Sequence, residues 1–230
     1  MYTTPNNMSD LTVIFLTANQ HPEHFMQYHR EILLKAIKGY DLITVSRIPM
    51  DLGKNILDGR KKSHINMYFQ LMNAAKIATT PFVGVAEDDT LYPKEHFNFF
   101  RPPLDTFAYN MHRWLLYTWV PNLFSMKRRK SNCTLIAPRK LLIEAWEERF
   151  AKRHVDSYPK GLVGEVGRPN VDLRLGVTER KSVEVWSDTG VIQINHPHGT
   201  DSTGTNKKLG EVKAIEIPFW GKAQDIVKEY

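Results

Sequence analysis

The chain has 230 residues, 42% of them hydrophobic, and carries a formal net charge of +6. That length and apolar content suit a folded core and exclude a disordered chain. Its single cysteine, Cys133, excludes an internal disulfide and a multi-cysteine zinc site, and its apolar neighbours mark it as a core residue.

After a polar first decapeptide, "LTVIFLTAN" (11–19) is continuously apolar, the pattern of a parallel strand covered on both faces. In "EHFMQYHREILLKAI", Phe25, Tyr28, Ile32, Leu33, Ala36 and Ile37 recur at helical spacing, and Gly39 supplies the stop. "DLITVSR" (41–47) is a second strand. Residues 49–62, with Pro49, Gly53 and Gly59, read as a long loop of the kind that carries function. "HINMYFQLMNAAKIA" (64–78) restores the helical spacing, and "TTPFVGVAEDD" leads into a third strand. This alternation predicts an α/β fold with an open, mostly parallel sheet and helices on both faces. Ligands of such sheets bind beyond the carboxyl ends of the strands, where "TAN", "SR" and "EDD" fall.

The second half is less regular. "SNCTLIAP" (131–138) reads as a strand, and Pro138 opens a helix whose stripe is Leu142, Ala145, Trp146 and Phe150. "YPKGLVGEVGRPN" (158–170) is a loop, followed by a short helix at "VDLRLGV". "VEVW" and "VIQIN" flank "SDTG" as a hairpin would. The Gly-, Ser- and Thr-rich segment 196–210 is irregular. With no repeat and no linker, one domain over residues 1–230 is expected. No window has signal-peptide character and no run reaches the roughly 18–20 apolar residues of a membrane span, so a soluble, cytoplasmic protein is expected.

Three consecutive acids, Glu87, Asp88 and Asp89, end the third strand. Unpaired carboxylates beside an apolar strand are costly, so a cation is expected there. Oxygen ligands at this spacing suit Mg2+ or Mn2+ holding a diphosphate; the alternative is an exposed acidic turn capped by Thr90. "HPH" (196–198) follows another strand end and offers imidazoles to Mn2+. Lys207 and Lys208, in "TDSTGTNKK", suit phosphate oxygens. No P-loop and no G-x-G-x-x-G follows the first strand. The basic runs "GRKK" (59–62) and "KRRK" (127–130) lie in loops where they are either solvated or meet phosphates.

The succession "VIFLTAN", "ITVSR", "NAAKIATTPFVGVAEDD" and a late strand running into "NHPHG" resembles the GT-A fold of nucleotide-sugar glycosyltransferases. The resemblance covers most of residues 11–100, as the nucleotide-sugar half, and, with less specificity, the C-terminal histidine segment; residues 101–230 would be the acceptor-side half. It implies a Mn2+ or Mg2+ cofactor and a nucleotide-diphosphate sugar, with UDP-sugar first. Glu87-Asp88-Asp89 matches the family's aspartate-any-aspartate motif with glutamate in the first place. Asp89 would then ligate the metal directly, with Glu87 in a water-mediated or ribose contact and Asp88 beside the nucleotide. The resemblance also places a C-terminal histidine on the metal, His196 before His198. Thr17 and Asn19 fall where the family's first strand meets the nucleotide, and Arg47 ends the second strand near the same pocket. The usual acid pair for the catalytic base of an inverting enzyme is replaced by "GEVGRPNVDLRL", where Glu165 is the first candidate and Asp172 the second, each also readable as a loop or N-cap carboxylate; if neither acts, a retaining transfer is the alternative, and spacing does not decide between them.

The aromatic, basic stretch 107–130 begins the acceptor side. Trp114, Tyr117 and Trp119 suit stacking on a sugar or a nucleobase, or core packing, and Arg128 and Arg129 suit phosphates. With the net charge, this segment keeps open a nucleic-acid acceptor, such as a hydroxymethylated base in DNA, on a par with a saccharide or lipid-linked acceptor at a membrane face. Two rival functions share some of these features: a nucleotidyltransferase, which would want a Gly-rich loop with a lysine after the first strand, and a non-catalytic nucleic-acid-binding module.

Overall fold

The computed structural model describes residues 10–197 and 209–230. The first ninety residues follow the expected alternation with one added strand: β1 (Leu11–Leu16), α1 (Glu23–Ala36), β2 (Asp41–Ser46), the added β3 (Lys54–Leu57), α2 (His64–Ile77) and β4 (Phe82–Glu87). A two-residue strand, β5 (Thr90–Leu91), and a single helical turn, α3 (Glu95–Asn98), follow the acidic turn. Then come β6 (Thr106–Asn110), β7 (Arg113–Tyr117), β8 (Val120–Met126), β9 (Leu135–Pro138), α4 (Arg139–Lys152) and α5 (Pro169–Leu175). The last elements are β10 (Lys181–Val185), β11 (Val191–Asn195), β12 (Val212–Ala214), β13 (Glu216–Ile217), β14 (Gly221–Lys222) and α6 (Ala223–Lys228).

Seven strands form the main sheet in the order β10-β6-β9-β4-β1-β2-β3. All run parallel except β9, which is antiparallel to both β4 and β6. Every residue of β1 is buried, because its alternate side chains meet different layers. Ile14 and Leu16 pack with Leu71 and Met72 of α2 and Trp146 of α4, while Leu11, Val13 and Phe15 pack with Leu33 and Ile37 beside α1. The fold is therefore the expected α/β layering with a mostly parallel sheet.

Two expectations are corrected. The segment 49–62 contains β3, a partly exposed edge strand paired with β2; its polar Lys54 and Asn55 hide the strand pattern. The segments around "SDTG" do not form a hairpin. β10 pairs in parallel with β6 in the main sheet, whereas β11 pairs in parallel with β7 in a five-stranded sheet of order β12-β8-β7-β11-β5. The turn N–H groups that would close a hairpin are occupied elsewhere: Asp188 and Thr189 donate to the two carboxylate oxygens of Glu95 at 2.7 and 2.8 Å. The chain thus leaves the main sheet twice, side by side. Asn110 clamps the two crossings together by donating to Ser187 Oγ at 2.7 Å and accepting from the His112 N–H at 3.0 Å.

His96 lies beneath this crossing, fully buried, with its Nδ1 accepting from Asn110 Nδ2 at 3.2 Å. Burial pushes its pKa down from 6.5 to about 3, so the folded protein keeps it neutral. Between those values the unfolded chain binds a proton that the folded one does not. Stability present above pH 6.5 should therefore fall as pH drops through this window, by about 1.4 kcal/mol per pH unit from this group. Urea unfolding of the wild type and His96→Phe at pH 7 and pH 5 checks this: the wild type should lose more stability between the two pH values than the variant.

Candidate active site

The acidic turn is built by residues distant in sequence. Leu16 of β1 is in register with Glu87, and its carbonyl accepts from the Asp88 N–H at 3.2 Å. His29, buried on α1, has Nε2 3.1 Å from the Glu87 carbonyl and 2.9 Å from the Thr90 carbonyl. Two carbonyl neighbours require Nε2 to carry the proton, and burial pushes this imidazole's pKa down, keeping it neutral. Tyr92 Oη accepts from the Glu87 N–H and donates to the Cys133 carbonyl, both at 3.0 Å.

The three carboxylates diverge. Glu87 accepts from Asn132 Nδ2 at 2.8 Å. Asp88 accepts from Thr17 Oγ1 at 2.6 Å and from the Ala18 N–H at 3.2 Å, and pairs with His21 Nε2 at 3.3 Å. Asp89 accepts from Thr90 Oγ1 at 2.8 Å and from Gln193 Nε2 of β11 at 3.3 Å. Their titration differs accordingly. Burial and the neighbouring Asp89 push Glu87 up to about 8, and burial together with Asp88 raises Asp89. Burial would raise Asp88 as well, but the hydrogen bond and charge of His21 outweigh it and hold Asp88 low.

Two adjoining clefts open here. Thr17, Arg47, Asp88, Lys62 and His21 line the first. Glu165, Arg113, Lys127, Arg129, Lys160 and Gln193 line the second. Glu87, Asp89, Met67 and His196 belong to both, so the acidic turn and the buried His196 form the partition between them. The structure therefore brings Thr17, Arg47, Glu87, Asp88, Asp89 and His196 together, with Glu165 and Arg129 across the partition. Asn19 lies off the cleft wall. With φ 53° it turns back so that its Oδ1 accepts from the Arg47 and Ile48 N–H groups, fastening the loop after β1 to the loop after β2.

Other expected residues are placed elsewhere. Asp172 is buried in an ion pair, 2.7 Å from Arg149 Nη2, beneath the 164–168 loop. Trp114 packs in the core of the second sheet against Phe124 and donates from Nε1 to His112 Nε2 at 3.2 Å. Arg128 is exposed, 5.9 Å from the ring of Trp186. His198, Lys207 and Lys208 lie outside the described residues. Sequence reasoning missed His21, His29, Asn132 and Gln193. Of these only His21 carried a local signal, two residues after Asn19 at the end of the first strand; the others reach the site by sheet pairing or helix packing.

Among the described residues, no group of three or more His, Cys, Asp or Glu side chains closes around one point. The donor set nevertheless fits a hard divalent cation. Glu87 and Asp89 are adjacent carboxylates that both resist ionising together, and a hard cation completes its shell with water and substrate phosphate.

Replacing His29 by Phe should leave the Glu87 and Thr90 carbonyls unpaired, at about 1–3 kcal/mol for each buried group. Urea unfolding of His29→Phe checks this against His29→Gln, which keeps a donor and should lose less.

No family model and no curated protein matches this chain. Solved structures of similar shape include a mannosyltransferase from Pyrobaculum calidifontis in complex with GDP-Man and Mn2+, at 10% identity over 83% of this chain and 57% of that one, TM-score 0.44. A glycosyltransferase involved in the glycosylation of the major capsid of PBCV-1 matches at 10% identity over 80% and 92%, TM-score 0.43. The 2-C-methyl-D-erythritol 4-phosphate cytidylyltransferase from Thermus thermophilus matches at 16% identity over 80% and 92%, TM-score 0.44. This chain spans 50% of the length of another neighbour, the bifunctional IspDF from Campylobacter jejuni. The neighbours thus include glycosyltransferases and nucleotidyltransferases. The fold class rests on the strand order itself, and the chemistry of the site on its own side chains.

Proposed function

We propose that this protein is a metal-dependent glycosyltransferase of the GT-A type, moving a sugar from a nucleoside-diphosphate sugar, UDP-sugar first, to an acceptor hydroxyl. The observation that carries this reading is the partition: Glu87 and Asp89 stand between two clefts, one suited to the nucleotide and one to the acceptor. An inverting transfer needs its leaving group and its nucleophile on opposite sides of the transferred carbon, an orientation that two clefts meeting at one edge can hold.

On the nucleotide side, Thr17 and His21 order Asp88, and Arg47 and Lys62 supply positive charge to an anionic donor. Asp89, with His196, would hold a divalent cation, which when bound offsets charge developing on the leaving diphosphate. On the acceptor side, Arg168 Nη1 donates to Glu165 Oε2 at 2.8 Å and orients the carboxylate in the second cleft. Glu165 takes the acceptor's proton as the new bond from oxygen to the anomeric carbon forms and the bond from that carbon to the diphosphate oxygen breaks. Asp172, engaged with Arg149, is the structural partner of this loop rather than its base. A nucleotidyltransferase reading is weaker because the turn after β1, "TANQHPEHF", has neither glycines nor a lysine to wrap a triphosphate.

Thermal unfolding with Mn2+ and UDP tests the donor site. Saturation at 100 times Kd should add about 2.7 kcal/mol, a rise of roughly 5–10 °C for a chain of this size, and Asp89→Asn should lose the Mn2+-dependent part. Absence of a shift with Mn2+ and every nucleoside diphosphate tried would sink the reading. Donor turnover separates the two acids. Glu165→Gln should lower kcat about 10²–10⁴-fold while keeping the nucleotide shift. Asp172→Ala should cost about 3–5 kcal/mol in urea unfolding by leaving Arg149 buried and unpaired.

A further inference from the structure

The second cleft holds about 330 Å3 and combines its acids with an excess of cations that the transfer step does not use. Arg113, 5% exposed at the start of β7, anchors that wall. It donates from Nη1 to Gln193 Oε1 and from Nη2 to the Arg129 carbonyl at 3.2 Å, while its buried Nε has no hydrogen-bond partner. Arg129 and Lys160 line the same cleft with exposed side chains, and neither takes part in an ion pair among the described residues. Glu87, Asp89 and Glu165 are nearby, yet they bond to Asn132, Thr90, Gln193 and Arg168 rather than to these two cations. Unpaired cations lining a cleft of this size suit an anionic ligand.

The positive charge continues outwards. Arg128, next in the chain to Arg129, is exposed and sits 5.9 Å over the ring of Trp186, itself 48% exposed. Neither residue lines the second cleft, so this pair is a separate exposed platform next in the chain to its Arg129, and a cation beside an exposed indole combines backbone neutralisation with stacking. One phosphate monoester would engage one or two of these groups; a strand of phosphodiesters engages the series.

Resting on the glycosyltransferase reading, we infer that the acceptor is a nucleic-acid strand. Arg129 and Lys160 meet phosphates at the mouth of the second cleft, Trp186 with Arg128 stacks a base outside it, and one nucleotide enters to present its hydroxyl to Glu165. A base in a duplex has to be extruded to reach this position, so single-stranded substrate binds better.

Fluorescence anisotropy of a labelled single-stranded DNA of about 12 nucleotides, titrated with the full chain at about 50 mM salt, tests this. The double variant Arg129→Ala/Lys160→Ala should weaken binding on the order of tenfold and reduce the slope of log K against log salt by about 1.4, the value for two phosphates on a single strand. Lys35→Ala/Lys38→Ala removes the same charge from exposed positions at the end of α1 and should change neither. Trp186→Ala should weaken binding without changing the slope, and duplex of the same sequence should bind less tightly. Equal losses in the two double variants, or no DNA binding by a wild type that still shows the Mn2+ and UDP shift, overturn the acceptor assignment while the donor reading stands. Loss of the nucleotide shift with cleft-dependent DNA binding retained would instead overturn the transferase reading and leave a nucleic-acid site.

Discussion

Three carboxylates meet at the C-terminal end of β4, and keeping them there is the constraint to which the surrounding structure answers. Like charges at this spacing repel, and burial makes each harder to ionise. The fold responds by sending each acid towards a different element. Asp88 turns to the loop after β1 and is neutralised by His21, Glu87 turns to Asn132, and Asp89 turns to Gln193 on β11. Of the three, among the described residues only Asp88 has an ion-pair partner, whereas Glu87 and Asp89 are both pushed towards the protonated form at the centre of the site.

Their backbone is held as firmly as their side chains. The neutral His29 donates to carbonyls on both sides of the turn, and Tyr92 bridges the Glu87 N–H to the Cys133 carbonyl. The turn is thereby fastened to α1, which covers one face of the main sheet, and to the segment leading into β9. The Asp89 carbonyl, accepting from the Ile194 N–H at 2.7 Å, also joins it to the second sheet. A rigid acidic edge at the meeting line of two sheets can divide one opening into two clefts. On the proposed reading, that division would set the leaving group and the nucleophile on either side of one reacting carbon.

Much of this was legible in the sequence because it rests on local pattern. The continuous apolar runs of β1 and β4 mark strands buried on both faces, and the spacing of Tyr68, Met72 and Ala75 marks the covered side of α2. The acids at the end of β4 stand out against that background, the rule that such sheets bind ligands at their carboxyl ends places "TAN" and "SR" beside them, and the resemblance to the GT-A fold singles out Thr17 and Arg47. Glu165 was distinguishable from Asp172 only in three dimensions. Both sit in the same polar segment, but one lines a cleft and the other is buried against Arg149.

The sequence by itself determined the order of β1, α1, β2, α2 and β4 and the location of the acidic turn, since backbone periodicity and charge contrast are properties of neighbouring residues; the polar edge strand β3 carried no such pattern. The tertiary structure decided which strands pair. "SDTG" has hairpin chemistry, yet Glu95 captures its N–H groups and the flanking strands join different sheets. It also decided that Trp114 is core, and that His29, Asn132 and Gln193 hold the acids. Each of those outcomes depends on partners 45 to 104 residues away, or on packing between sheets, which no local pattern encodes.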